Sequence, residues 1–296
     1  MKVALLGLGK MGTAIAAVLL RSGHQLTVYN RTAGKAQELA NHGAKIASTP
    51  KEAVSDAEVV LTVVLDDAAM EHVTFGPDGI LQALPQGAVH AGLSTISVEL
   101  AKRLQREHAQ RGREYIGAPV LGRPEAAREA KLILIAGGAP AGIAKVQPVF
   151  DALGRVTFRA GTEPWHANLF KLCSNFMISS MLETFGEAQA LIRKAGSEPV
   201  EFVGLMAEFW GSTIYRNYGM LIATGKYDPP GGTLALGLKD NRLLLDAARE
   251  LTVPLPLASL VRDQMLAAIA AGNAELDWSS LSDTAMRNAG LTPNRG

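Results

Sequence analysis

The chain has 296 residues, 48% of them hydrophobic, and 29 lysines and arginines against 28 aspartates and glutamates leave a net charge of +1. That length suits two domains of about 150 residues each, and a near-neutral balance without a long basic run gives no footing to a nucleic acid or an anionic membrane. Its single cysteine, Cys173, excludes a disulfide within the chain, which agrees with a reducing compartment, and we expect a cytoplasmic protein.

The opening MKVALLGLGKMGTAIAAVLL has the outline of a signal peptide, but Gly7, Gly9, Lys10 and Gly12 interrupt its apolar run, so it reads as mature structure. No apolar run approaches the ~18 residues of a membrane span. Lys2 to Leu6 predicts a β-strand, followed at once by Gly7-Leu8-Gly9-Lys10-Met11-Gly12 and a helical pattern from Met11 to Arg21. A lone G-x-G-x-x-G is weak, because glycines also mark ordinary turns. Here it follows a strand, opens a helix and leads into a second strand, Gln25 to Tyr29, which is the context a dinucleotide-binding motif requires. Gly7 permits the tight turn, Gly9 lets the backbone approach a pyrophosphate, and Gly12 lets helix and strand pack closely. The helix N-terminus offers N–H groups to the phosphates, and Leu8, Lys10 and Met11 complete the expected contact loop.

The second strand ends in Asn30-Arg31-Thr32. A site for NAD ordinarily carries Asp or Glu there to accept from the ribose 2′-hydroxyl. Asn30 is neutral, Arg31 offers a planar cationic fork suited to a phosphate, and Thr32 adds a hydroxyl. Against the plainer reading of a surface arginine at a strand end, we expect NADP(H). Ser48-Thr49-Pro50 then caps a short helix, and Glu58 to Leu65 is a continuous apolar run suited to a strand buried on both faces. Leu65-Asp66-Asp67 turns at its carboxyl end, where ligands lie in open α/β sheets, so Leu65 joins the expected cofactor contacts. Ala88 to Leu93 predicts a strand ending in Ser94-Thr95, with a helix from Val98 to Gln110 after it. Glu114 to Ile116, Lys131 to Ala136 and Val156 to Phe158 add strands. Residues 117–124, GAPVLGRP, read as a loop rich in exposed backbone.

From Trp165 to Lys194 no proline interrupts a helix of about 45 Å. Its first half is apolar almost all round, so it is expected to be buried, with Cys173 a small core residue. The exception is a polar stripe of Asn168, Lys171, Asn175 and Ser179, three or four residues apart on one face. Either each finds a partner within the fold, or the stripe lines a cleft in which Lys171 does chemistry; unpaired buried polar groups are costly, so one must hold. From Pro199 to Ala289 everything reads as helix or loop. Gly225 to Thr233 is expected to be a flexible turn, Lys239 and Asp240 lie on a helix, and Pro254 and Pro256 separate that helix from the next. The six histidines show no metal-ligand spacing, and no metal is expected. The pattern predicts an α/β Rossmann-type doubly wound sheet over residues 1–163, an NADP-binding domain. An all-α domain follows over 164–296, joined by the long interdomain helix.

Together GLGKMG at 7–12, STIS at 94–97, GAPVLG at 117–122, KLCSN at 171–175 and KD at 239–240 resemble the β-hydroxyacid dehydrogenase family, the group of 3-hydroxyisobutyrate dehydrogenase and the glyoxylate and succinic semialdehyde reductases. The resemblance covers nearly the whole chain and implies a cleft between the two domains. It implies that Lys171 is the catalytic lysine, that Asn175 helps hold substrate, and that Ser94 and Thr95 sit near substrate, with Thr95 also near nicotinamide. It further implies that Lys239 closes onto the cofactor and that the helical domains assemble a homodimer or homotetramer. Two departures stand out. Gly92-Leu93-Ser94-Thr95 replaces the usual Asp-x-Ser-Thr, and Pro119-Val120-Leu121-Gly122-Arg123 replaces the Pro-Val-Ser-Gly-Gly loop that cradles a substrate carboxylate. Leu121, Gly122 and Arg123 are thus expected to face substrate. If Arg123 turns inward it can bind a carboxylate bidentately; turned outward, as its desolvation cost favours, it leaves a more apolar pocket. The expected reaction is hydride transfer between NADPH and a small carbonyl compound, with Lys171 as general acid and base. Imine reduction on the same fold and a redox-silent NADP-binding protein are the alternatives.

Overall fold

A computed structural model describes residues 1–295. Among them nine strands form one sheet: β1 (Lys2–Leu6), β2 (Gln25–Tyr29), β3 (Lys45–Ile46), β4 (Val59–Thr62), β5 (Val89–Gly92), β6 (Glu114–Gly117), β7 (Val120–Leu121), β8 (Leu132–Gly137) and β9 (Gly154–Gly161). They lie in the order β3-β2-β1-β4-β5-β6-β8-β7, with β9 paired to β8. Pairing is parallel from β3 through β6, antiparallel where β8 meets β6 and β7, and parallel again between β8 and β9.

The alternation of side chains along each strand explains the double winding. Val3 and Leu5 of β1 and Val59 and Leu61 of β4 join one core with Ile15, Leu19, Val146 and Phe150 from helices on that side. Ala4, Leu6 and Val60 point the other way, into a second core with Met70, Leu100 and Leu104. Buried on both faces, these strands read as unbroken apolar runs.

The chain divides into two compact units, Met1–Lys171 and a second from Leu172 onward. The division runs inside the long helix Pro164–Lys194, whereas the sequence puts the boundary ahead of it, at 163/164; Gly296, the last residue of that expected second domain, lies outside the described residues. The reason lies in two glycines. A Cβ on Gly117 would meet the Pro164 carbonyl oxygen at 2.2 Å, and one on Gly137 would meet that of Glu163 at 2.7 Å. Because Gly117 of β6 and Gly137 of β8 carry no side chain, the start of the helix sits directly on the sheet, and its first turns belong with it.

The second unit is helical: Pro199–Trp210, Thr213–Thr224, Leu234–Glu250, Pro256–Ala270 and Asp283–Asn288 follow the long helix. Leu182, Phe185, Val203, Ile222, Leu234, Val261, Met265 and Leu281 form its core. Among the described residues its β pairing is confined to an isolated bridge between Thr233 and Asp277. The turn between the Thr213–Thr224 and Leu234–Glu250 helices is tied to the rest of the unit by hydrogen bonds. Tyr227 is buried with its hydroxyl 3.0 Å from Ser282 Oγ, and Asp277 Oδ2 accepts from the Gly231 N–H at 2.9 Å.

Four further expectations are corrected. The strand expected over Glu58 to Leu65 is confined to Val59–Thr62, because Leu65 swings out and is 67% exposed. The expected loop at 117–124 contains β7, which pairs Val120 and Leu121 with Leu134 and Ile133. The long helix is buried along a stripe only. Asn168, Leu172, Asn175, Ser179 and Leu182 are covered at spacings of three and four, whereas Phe170 is 52% and Met177 70% exposed. Cys173 is exposed and is not a core residue. Apolar side chains surround this helix, but its neighbours within the chain cover one face.

Candidate active site

The sheet register brings the predicted cofactor residues to one edge. Leu6 pairs with Tyr29 on one side and with Thr62 on the other, Thr62 pairs with Gly92, and Gly92 with Gly117. Gly7, Asn30, Leu65, Ser94 and Thr95 therefore follow the carboxyl ends of adjacent strands, around the point between β1 and β4 where strand order reverses. Open α/β sheets bind their ligands at such a point.

The three glycines of the loop have different causes. Gly7 has φ +104°, and a Cβ there would lie 2.2 Å from the Val63 carbonyl oxygen; at Gly12 it would lie 1.9 Å from the Gly7 oxygen. Those two are demanded by the fold. At Gly9 a Cβ would meet nothing within 4 Å. Gly9 is the N-cap of the helix Lys10–Arg21, and no side chain caps it. A glycine that the fold does not require, at an uncapped helix N-terminus, fits a diphosphate lying against the backbone. Leu8 is buried, Met11 half-buried and Lys10 exposed.

Asn30 acts on the loop itself. Its Oδ1 accepts from the Leu8 N–H at 2.9 Å, and its Nδ2 donates to the Thr32 carbonyl at 2.9 Å. One amide thus locks the glycine loop to the end of β2 and leaves Arg31 and Thr32 exposed beside it. Ser94 is committed in a similar way. Its Oγ accepts from the Val64 N–H at 2.8 Å and lies 3.5 Å from the Thr62 carbonyl. Thr95, half-buried, is the next residue out along the edge.

On the long helix Lys171 is half-buried, and Asn168 one turn before it is buried with neither amide atom hydrogen-bonded. Asn175, four residues past Lys171, is buried and donates through Nδ2 to Asp240 Oδ2 at 2.6 Å. Lys239 Nζ lies 2.9 Å from the other oxygen of the same carboxylate. Asp240 is a residue that sequence reasoning left without a task, although it forms half of the KD pair. Ser179 spends its hydroxyl on the Phe176 carbonyl at 3.0 Å, the ordinary structural answer for a helical serine. In the departing loop Leu121 and Arg123 are half-buried and Gly122, at φ +140°, is exposed. Arg123 is the N-cap of a short helix, Pro124–Arg128, in which Glu125 and Arg128 are exposed.

The sequence also gave no sign of a buried polar chain beneath this edge. Thr62 Oγ1 lies 3.0 Å from His90 Nε2, His90 Nδ1 lies 3.0 Å from His108 Nε2, and His108 Nδ1 lies 2.7 Å from the Leu104 carbonyl. That carbonyl can only accept, so His108 donates from Nδ1, His90 donates to His108, and the Thr62 hydroxyl donates to His90. Both rings are neutral. Burial holds His90 well below the usual histidine range, and burial moves His108 down to about 4. Tyr115 packs against both rings, its hydroxyl buried and without a partner. A Cβ on Gly92 would meet that hydroxyl at 2.5 Å, so Tyr115 fills the space that the usual aspartate would need at position 92.

Residues 2–161 match the family described as the NAD binding domain of 6-phosphogluconate dehydrogenase, and residues 166–284 that described as NAD-binding of NADP-dependent 3-hydroxyisobutyrate dehydrogenase. The uncharacterised oxidoreductase YfjR of Bacillus subtilis (strain 168) is 41% identical over 281 residues, covering 95% of this chain and 98% of the relative. The 2-hydroxy-3-oxopropionate reductase of Escherichia coli (strain K12) is 32% identical over 284 residues, covering 95% and 96%. Among solved structures, a 3-hydroxyisobutyrate dehydrogenase from Salmonella typhimurium superposes with a TM-score of 0.85 at 25% identity, over 96% of this chain and 99% of that one.

Proposed function

The chain belongs to the β-hydroxyacid dehydrogenase family, oxidoreductases that act on CH–OH or C=O groups with a nicotinamide cofactor, and from that premise we propose reversible hydride transfer between NADPH and a small carbonyl compound. An aldehyde, a semialdehyde or the pair of a 3-hydroxyacid is the substrate class. The observation that carries this reading is the half-buried Lys171, one helical turn from an Asn175 whose amide is fixed by Asp240. When bound, the nicotinamide supplies or accepts the hydride. Lys171 handles the proton: as an ammonium it donates to the developing alkoxide oxygen in reduction, and as an amine it takes the proton back in oxidation. Asn175 gives its nitrogen to Asp240, so its carbonyl oxygen is the end that receives the Lys171 ammonium or a substrate hydroxyl. Thr95 orients the substrate. Gly9 and the helix N-terminus take the diphosphate, and Arg31 with Thr32, exposed where a carboxylate would select NAD, support NADP.

Substrate preference follows from the altered loop. Leu121 stands where a serine hydroxyl would meet a carboxylate, which favours uncharged carbonyls. The experiment measures NADPH consumption by wild type and Arg123→Ala on a short semialdehyde acid, an aldehyde of similar size without the acid, and a cyclic imine. We expect the uncharged aldehyde to be reduced at least as fast as the acid, and the imine slowest. A strong wild-type preference for the acid that Arg123→Ala loses would restore the hydroxyacid reading. Faster imine turnover would support imine reduction, and no NADPH consumption on any of the three would contradict carbonyl reduction.

A further inference from the structure

Past the helix Asp283–Asn288 the chain turns back onto the second unit and meets buried polar groups. Arg295 donates through Nη1 to Asp283 Oδ2 at 2.5 Å and through Nη2 to Asn273 Oδ1 at 3.1 Å, and its guanidinium lies 5.7 Å from the centre of the Tyr227 ring. Asp283, Asn273 and Tyr227 are all buried. A Cβ on Gly225 would lie 2.3 Å from the Asn294 carbonyl oxygen, so the tail rests directly on that glycine. The other arginine near Asp283, Arg287, stands 4.0 Å away, so Arg295 supplies the close cation that a buried carboxylate requires. Chain ends are mobile unless something ties them down. This tail is tied by charge, by hydrogen bonds and by an aromatic face.

What the guanidinium holds is the seat of the helix Leu234–Glu250. The Asn273 amide nitrogen donates to the Ser280 carbonyl at 3.1 Å and to Asp283 Oδ2 at 2.9 Å. Arg295, Asn273 and Asp283 thus close one hydrogen-bonded ring across the segment 273–283. From inside that segment the Leu276 and Ala274 carbonyls accept from the Leu234 and Ala235 N–H groups, at 2.9 and 3.1 Å. Those N–H groups belong to the first turn of the helix and have no partner within it. Trp278 of the same segment donates its N–H to the Gly232 carbonyl at 2.9 Å, and a Cβ on Gly237 would lie 2.6 Å from its indole nitrogen. The second turn of the helix carries Lys239 and Asp240, and Asp240 holds the Asn175 amide.

We propose that Arg295 is a positioning residue for the reaction, a role that rests on the reading of Asn175 given above. Arg295 holds the segment 273–283, that segment seats the start of the helix Leu234–Glu250, and the helix sets Asp240 and through it the Asn175 carbonyl oxygen. Each link is a hydrogen bond or a close contact within the second unit. An arginine that only stabilised the fold would loosen the unit as a whole when removed. A positioning arginine loosens one helix end and misaligns the group that this end carries. Lysine at 295 keeps a charge for Asp283, but without the planar fork it cannot hold Asn273 at the same time.

Arg295→Ala and Arg295→Lys in the full chain test this by hydrogen exchange and by steady-state kinetics on a small aldehyde that wild type reduces. In Arg295→Ala the amides of residues 236–240 should exchange about tenfold faster or more, while those of Val203 and Ile222, in the core of the same unit, change by less than about twofold. The kcat should fall about fivefold or more, with Arg295→Lys between the alanine variant and wild type. In an Asp240→Ala background, where the chain of contacts is already cut, Arg295→Ala should lower kcat no further. Exchange reads the hold on the helix without any reaction, so a wild type inactive on every carbonyl would defeat the reaction while exchange still decides that hold. If Arg295→Ala does not fold, the lysine variant carries the same measurements. Unchanged exchange at 236–240, uniform acceleration across the unit, unaltered kcat, or a full further loss in the Asp240→Ala background would overturn the positioning role.

Discussion

At the scale of single residues, side chains at the strand edge fall into those that hold the edge together and those left to meet a ligand. Asn30 and Ser94 spend their polar atoms on backbone groups, while Arg31 stands exposed next to Asn30. If Arg31 reads the 2′-phosphate, Arg31→Ala loses a charge-assisted contact and should weaken NADPH about tenfold or more while leaving NADH nearly unchanged. Fluorescence titration with both nucleotides measures this, and equal weakening of the two would remove Arg31 from that role. Tyr115 makes a second case. Its buried hydroxyl has no partner, so Tyr115→Phe removes a desolvation cost without breaking a bond. We expect the variant to unfold at higher denaturant, by about 1 kcal/mol of added stability. A clear loss of stability would mean that the hydroxyl is satisfied by a buried water.

At the scale of elements, the strand-glycine-helix beginning was legible because each of its features has a local cause: an apolar run, glycines at fixed offsets, a helical period. The alternating strands and helices of the first unit and the all-helical second unit were legible for the same reason. What the sequence hid depends on neighbours distant in the chain. The pairing of β7 with β8, the seating of the long helix on Gly117 and Gly137, and the histidine chain from Thr62 to Leu104 are settled by packing, which local pattern does not encode. The long helix misled most. Its polar residues Asn168, Asn175 and Ser179 occupy the covered stripe, and the apolar Phe170 and Met177 face out, the reverse of a surface helix of a soluble unit. Of the candidate site, Lys171 and Asn175 could be found from their spacing of one turn. Asp240, which orients Asn175, could not, because the sequence offers no signal that joins positions 175 and 240.

At the scale of the whole molecule, the two units carry buried ionisable groups of opposite effect. In the first, His90 and His108 have folded-state pKa values below the usual 6.5, so the unfolded chain binds the extra protons. Their contribution to stability is complete above about pH 6.5 and is lost as pH falls toward 4. In the second, Glu183 is raised from 4.5 to about 7, so its folded form keeps a proton that the unfolded form releases, and stability is lost as pH rises from 4.5 through 7. Hydrogen exchange, corrected for its intrinsic pH dependence, should therefore show protection falling in the first unit and rising in the second as pH is lowered across that window; parallel changes in both would contradict the assignment. The reaction itself rests on Lys171, and the most direct measurement replaces it. Lys171→Met keeps much of the apolar stem and removes the ammonium. The account predicts that the variant folds, binds NADPH with unchanged affinity, and loses about 10²- to 10⁴-fold in NADPH turnover with a small aldehyde that wild type reduces; a folded Lys171→Met that turns over at close to the wild-type rate would contradict it.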